Sequence, residues 1–344
     1  MKIILVGCGL IGIRRAEILS QQNVEIVACI DKNFSAAEKL AKKYDSLALS
    51  SHDEFDFTNI TVDAAFIATP HKFLSEIAKD FIEIGISLFI EKPGAISSGE
   101  LTELNKLIYK KNLLVAYGYN HRFHSAMLKA NEIIKNQNLG SPMFARGRYG
   151  HGGRVGYEKE WRSEKSISGG GELIDQGPHL IDLTHLYLGD TIEVEGYAST
   201  LFWDMKVDDN AFFIIKTEEN CVSHLQVSCS EWKNLFSFEI YFSKAKLHFE
   251  GLGGSYGIES LTLYEMSPEM GPPDIKSWSW PKKDKSWERE TQMFLKSLKK
   301  ESLDPYLVDT KAAIKILEVV EEIYKNGVYK PTKKSRSYEL LDDK

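Results

Sequence analysis

Lys2-Ile3-Ile4-Leu5-Val6-Gly7-Cys8-Gly9-Leu10-Ile11-Gly12 decides the fold. Its apolar residues read as a short buried strand, and three glycines follow at the spacing GxGxxG. The first two permit a tight turn and close approach of the backbone to a pyrophosphate; the third lets the next helix pack on the strand. That helix presents unpaired N–H groups at its start, which suits an anion. Its apolar positions, Ile13, Ala16, Ile18 and Leu19, fall on one face. A second strand, Val24 to Ile30, ends at Asp31, about the spacing expected of a carboxylate that binds a ribose 2′-hydroxyl. Asp31 would repel a 2′-phosphate. The expected cofactor is therefore NAD rather than NADP, held by Gly7, Gly9, Leu10, Ile11, Gly12 and Asp31.

The alternation continues outward from this turn. Ser35 to Tyr44 reads as a helix and Val62 to Ala68 as a strand. Thr69 fits an N-cap with Pro70 at the first helical position, opening a helix from His71 to Ile84. His71 reads as a helix-start residue beside the cofactor. Ser87-Leu88-Phe89-Ile90-Glu91-Lys92-Pro93-Gly94 is an apolar strand that ends in a carboxylate, an ammonium and a ring without an N–H. Pro93 and Gly94 turn the chain out of the sheet at its carboxyl end, where open α/β sheets bind ligands. Ser97 to Glu100 is a capping-box pattern, and a strand from Leu113 to Gly118 follows the helix it opens. Strands alternating with helices predict a doubly wound parallel sheet.

At 344 residues the chain is long enough for two domains. The expected boundaries are a dinucleotide-binding domain over 1–120, an α/β domain over 121–330 whose last helix packs back on the first, and a charged tail over 331–344. Beyond residue 190 the apolar period falls to two, as in Cys221 to Cys229 and Phe236 to Ser243, which predicts a large, mostly antiparallel open sheet. Net charge is −6 with a pI near 5.9, which argues against nucleic-acid or membrane-surface partners. The four cysteines show no metal spacing, and the absence of a signal peptide or long apolar span makes the cytoplasm the expected location.

In the second half, Gly169-Gly170-Gly171 leads into Asp175 and His179, four residues apart. On one helix they would share a face, and the carboxylate would orient the imidazole; Pro178 predicts a kink or restart between them. No histidine falls in a metal-ligand pattern, so no metal is expected. Residues 146–165 carry Arg146, Arg148, Arg154, Lys159, Arg162 and Lys165 against three glutamates, with Tyr149, Tyr157 and Trp161 interspersed. This reads as a substrate loop that stacks a sugar ring and pairs an anion such as a nucleotide diphosphate or carboxylate. Gly253 to Gly257 reads as a second loop at the same mouth.

The glycine turn, Ala68-Thr69-Pro70, Glu91-Lys92-Pro93, Gly118-Tyr119-Asn120 with Arg122-Phe123, and Gly169 to Asp182 together resemble the Gfo/Idh/MocA family of nicotinamide-dependent sugar and polyol oxidoreductases. Pro178 stands where many members carry another residue. The resemblance implies that Lys92, Asp175 and His179 surround the nicotinamide as catalytic residues. It adds Thr69, Pro70, His71, Glu91 and Lys92 to the cofactor site. Asn120, Arg122, Arg154, Tyr157, Trp161 and Arg162, with the catalytic three, are the expected substrate residues. It further implies hydride transfer with a sugar, nucleotide sugar or cyclitol, and a homodimer or homotetramer through the C-terminal sheet. Related activities keep NAD bound for a non-redox outcome, and a non-catalytic NAD-binding regulator is the third reading.

Overall fold

A computed structural model describes residues 1–269 and 271–329; the expected tail over 331–344 lies outside the described residues. β1 (Lys2–Val6), β2 (Glu25–Ile30), β3 (Leu47–Leu49), β4 (Ala64–Ile67), β5 (Ser87–Glu91) and β6 (Val115–Gly118) form a parallel sheet in the order 3-2-1-4-5-6. The order reverses between β1 and β4, which leaves a crevice at the carboxyl ends of those strands.

Each strand sends alternate residues to opposite faces. Ile3, Leu5, Phe66 and Phe89 pack on one side with Ala16 and Leu19 of α1 (Leu10–Leu19) and Leu40 of α2 (Phe34–Tyr44). Ile4, Val6, Ile67 and Leu88 pack on the other with Leu74 and Phe81 of α3 (His71–Glu83) and Leu104 of α4 (Ser98–Lys111). The Ser97 side chain caps α4 by accepting from Glu100 N. Thr69 is not the cap of α3: the helix starts at His71, with Pro70 in the capping position.

The second half contains α5 (Ser125–Asn136), β7 (Pro142–Gly150), α6 (Lys165–Ser168), α7 (Glu172–Asp175), α8 (Gly177–Leu188), β8 (Thr191–Ser199), β9 (Asn210–Thr217), β10 (Val222–Ser228), β11 (Leu235–Phe242), β12 (Ala245–Glu250), β13 (Glu259–Glu265), β14 (Asp274–Trp280), α9 (Ser286–Lys300), α10 (Thr310–Tyr324) and β15 (Val328–Tyr329). Its sheet runs 14-13-12-11-7-10-9-8-15. All neighbours are antiparallel except β7 with β10 and β8 with β15. Leu180, Ile181 and Leu183 of α8 join Leu225 and Phe238 in the core, so α8 covers the inner face. The last helix returns to the first sheet. Glu321 accepts from the Ser98 N–H at 2.7 Å and from its hydroxyl at 2.6 Å, tying α10 to the start of α4.

Candidate active site

A cleft of about 730 Å³ opens between the two sheets. On the first-domain side it is lined by Leu10 and Ile11 of α1, by Thr69 and His71 at the start of α3, and by Glu91 and Lys92 at the end of β5. Facing them are Tyr149 on β7, Asp175 on α7, His179 on α8 and the Gly253–Tyr256 loop. The glycine-rich loop at residues 253–257 therefore does sit at this mouth.

The residues at the α1 end fit a dinucleotide. A Cβ on Gly12 would lie 1.8 Å from the Gly7 carbonyl oxygen, whereas a Cβ on Gly9 would meet nothing within 4 Å. Gly12 thus lets α1 sit close against the turn, and Gly9 leaves open room of the kind a pyrophosphate needs. Gly9 also gives α1 no side-chain cap, so the first-turn N–H groups are left for an anion. Asp31 is fixed at the end of β2 by accepting from Cys8 N at 2.7 Å and Asn33 N at 2.8 Å. Each carboxylate oxygen keeps a lone pair for a ribose hydroxyl.

The centre of the cleft is a charged cluster. Lys92 Nζ donates to the Asp175 main-chain oxygen at 2.6 Å and to its Oδ1. Asp175 Oδ2 accepts from Arg162 Nε at 3.2 Å, and His71 Nε2 lies 3.7 Å from Oδ1. Burial alone would raise the Asp175 carboxyl, but Lys92, Arg162 and His71 outweigh it and hold the group well below the usual carboxylate range. Burial pushes His71 down to about 4, against the pull of Asp175. His71 is therefore neutral at physiological pH, with Nδ1 2.8 Å from the Ser168 carbonyl oxygen.

His179 is not held by Asp175, contrary to the expectation from their spacing. α7 ends at Asp175, Gln176 intervenes, and α8 restarts at Gly177 with Pro178 in its first turn, where no N–H is needed. The carboxylate is turned to Lys92 and Arg162 instead. His179 packs against His121, ring centroids 3.8 Å apart. Among the described residues, His179 Nδ1 and both ring nitrogens of His121 are buried without a hydrogen-bond partner. Burial holds both imidazoles well below the ordinary histidine value, and the Lys92 charge adds to this at each. Both rings are neutral, and each keeps a nitrogen able to take a proton.

One other expectation needs correction. Arg122 does not face the cleft: it is buried and forks onto Asp182, with Nε at 2.9 Å and Nη2 at 2.6 Å. Charge pairing behind the site, rather than substrate contact, explains why an arginine stands there. Glu91 is paired with the fully buried Arg15 at 2.6 Å, and Arg15 reaches Glu290 at 2.8 Å. Arg15 thus occupies a buried position on α1 while Ile13 is exposed. Asn120 lines the cleft and donates to Ser286 Oγ at 2.8 Å. Tyr157 is buried against Glu172 at 2.6 Å. Trp161 sets its ring edge to His71 at 5.0 Å. Arg154, exposed at the rim, pairs with Glu160 at 2.6 Å. His121 is the principal residue that sequence reasoning missed. Its place just past the end of β6, at the ligand edge of the sheet, was the available signal.

Among the described residues, no helix is long and apolar enough to cross a membrane. Residues 1–119 match the family described as oxidoreductases with an NAD-binding Rossmann fold, and residues 127–248 match the GFO/IDH/MocA C-terminal domain. The chain is 25% identical over 193 residues to the D-glucoside 3-dehydrogenase of Escherichia coli (strain K12), covering 55% of this chain and 54% of that one. It is 28% identical over 174 residues to the levoglucosan dehydrogenase of Pseudarthrobacter phenanthrenivorans, covering 47% and 45%. The chain thus spans about half the length of the curated relatives it matches. In fold it is similar to a levoglucosan dehydrogenase solved with NADH and levoglucosan, with a TM-score of 0.82 and 19% identity over 94% of this chain and 96% of that one. With models covering both halves, the chain belongs to the Gfo/Idh/MocA family of oxidoreductases.

Proposed function

We propose that this chain is an NAD-dependent dehydrogenase or ketoreductase acting on a ring hydroxyl or ketone of an uncharged sugar, glycoside or cyclitol. One observation carries the reading: Lys92 at the end of β5 and His179 on α8 line one cleft beside the glycine turn, and burial, then the ammonium, keeps the imidazole neutral. When bound, the nicotinamide supplies the hydride acceptor in oxidation and the donor in reduction.

His179 is the base for the hydroxyl proton in oxidation and returns that proton in reduction. Lys92 has two of its three N–H groups on Asp175. The third is left to hydrogen-bond the substrate oxygen as negative charge develops on it. Asp175 serves by fixing the ammonium.

The charge balance of the loop at 146–165 favours an uncharged substrate over a nucleotide sugar. Its cleft-facing arginines, Arg154 and Arg162, are each engaged by carboxylates. The names of the two sugar dehydrogenases above point the same way. The same reading takes the outer face of β8, β9 and β10, where Tyr197, Phe212 and Ile214 are exposed, as the contact between copies of the chain.

The test is nicotinamide absorbance on a panel of methyl glycosides, anhydrosugars, inositols and nucleotide sugars. Turnover of a neutral ring compound is expected. Turnover of nucleotide sugars alone, or copurified NAD with product formed and no net absorbance change, would overturn it.

A further inference from the structure

We infer that Arg162 is a positioning residue: it pins a strap, residues 157–163, over the cleft and fixes Asp175 so that Lys92 presents its free N–H. This rests on the reading above. The geometry is a closed set of contacts. Arg162 Nε binds Asp175 Oδ2 at 3.2 Å, leaving Oδ1 to Lys92. Arg162 Nη1 lies 3.5 Å from Glu160, and its guanidinium lies 4.6 Å from the Trp161 ring centroid. Trp161 in turn meets His71. Glu160 belongs to the strap itself, so Arg162 links the strap to the proposed active site through Asp175.

A carboxylate bonded at one oxygen only can rotate about its terminal torsion, which is broad. With Arg162 removed, Asp175 loses that second anchor and Lys92 loses its fixed direction. Lysine at position 162 would restore the charge but not the planar fork.

The charged and titratable groups packed on this carboxylate are Lys92, Arg162 and His71. Tyr149, His151, Tyr157, His179 and Tyr256 also feel its charge. His71 reports on the set without turnover. Burial holds it at about 4, with Lys92 and Arg162 pushing the same way against Asp175.

The experiment uses the full chain with Arg162→Gln, Arg162→Lys and Glu160→Gln. His71 is titrated by NMR on histidine-labelled protein, and kinetics are run with NAD and a neutral methyl glycoside. In Arg162→Gln the His71 midpoint is expected to move up towards the ordinary value of 6.5. Turnover should fall by about 10- to 100-fold with little change in KM. Arg162→Lys should recover part of both, and Glu160→Gln should show the same changes more weakly. A rise in KM with kcat and the His71 midpoint unmoved would make Arg162 a substrate clamp and overturn the inference. If the wild type turns over no sugar, the functional reading fails, yet the His71 titration still decides the role of Arg162: movement supports it and a fixed midpoint overturns it. Glu160→Gln carries the same two outcomes if Arg162→Gln does not fold.

Discussion

The two sides of the reaction cleft differ in kind. Around Asp175, every charge is met: Lys92 and Arg162 converge on one carboxylate, with a neutral His71 beside it. Around His179 the rings are neutral, and buried nitrogens of His179 and His121 have no partner among the described residues. A buried charge must be paired or it costs several kcal/mol, whereas an unmet neutral nitrogen costs about 1–3 kcal/mol. The charged side is therefore built by the fold and is part of its stability. The neutral side adds no charge for the fold to pair. Pre-set charge on one side and open hydrogen-bonding capacity on the other is an arrangement suited to moving a proton off a hydroxyl while holding its oxygen.

Substitutions should separate the two sides. His179→Asn is expected to have the largest effect, lowering turnover by about 10²- to 10⁴-fold. NAD affinity should be nearly unchanged, and Tm should fall only by what the lost ring packing on His121 costs. Lys92→Met is expected to lower kcat by about 10²- to 10³-fold. It should also cost about 2–3 kcal/mol of stability, less than a fully orphaned buried charge, since Arg162 still pairs with Asp175. Equal losses of Tm in the two variants, read by calorimetry, would erase the contrast.

His121→Phe sharpens it further. Replacing a buried imidazole that has no hydrogen-bond partner among the described residues with an apolar ring should leave stability unchanged or raise it by about 1 kcal/mol. Turnover should still fall, because the face packed on His179 changes. A lower Tm would mean that His121 is a structural residue.

A last expected effect, on stability and not on turnover, lies beneath the cleft. Burial raises Glu290 to about 8, against the pull of Arg15, from an ordinary 4.5. Between those values the folded chain holds a proton that the unfolded chain has lost. Its contribution to stability is thus full below about 4.5 and declines as pH rises through 8. Glu290→Gln has no proton to lose and should flatten that decline, as read from urea midpoints on either side of the window. An unchanged pH dependence would count against a protonated Glu290.

Much of the first sheet was legible because its signals are local. The glycine turn, the apolar runs and the Ser97 cap each act within a few residues, and the strands read from them lie within about two residues of those observed. Lys92 was legible for the same reason, as a lysine at the end of a buried strand. What escaped depends on partners far along the chain. Arg15 is buried because Glu91 and Glu290, 76 and 275 residues away, come to it. Arg122 stood among the expected substrate residues, yet its partner is Asp182, 60 residues on. The Asp175–His179 spacing misled because the Asp175 carboxylate is taken by Lys92 and Arg162, 83 and 13 residues away. The basic stretch at 146–165 gave a charge count without its pairing. Arg162 meets Asp175, and Arg154 meets Glu160.

The most direct test of the account measures NAD affinity by calorimetry and single-turnover nicotinamide reduction with a neutral glycoside, in the wild type, His179→Asn and Lys92→Met. NAD affinities within about threefold of one another are expected, with reduction slowed by at least about 10²-fold in both variants. Reduction at wild-type rate in either variant, or affinity and rate falling together, would contradict the account.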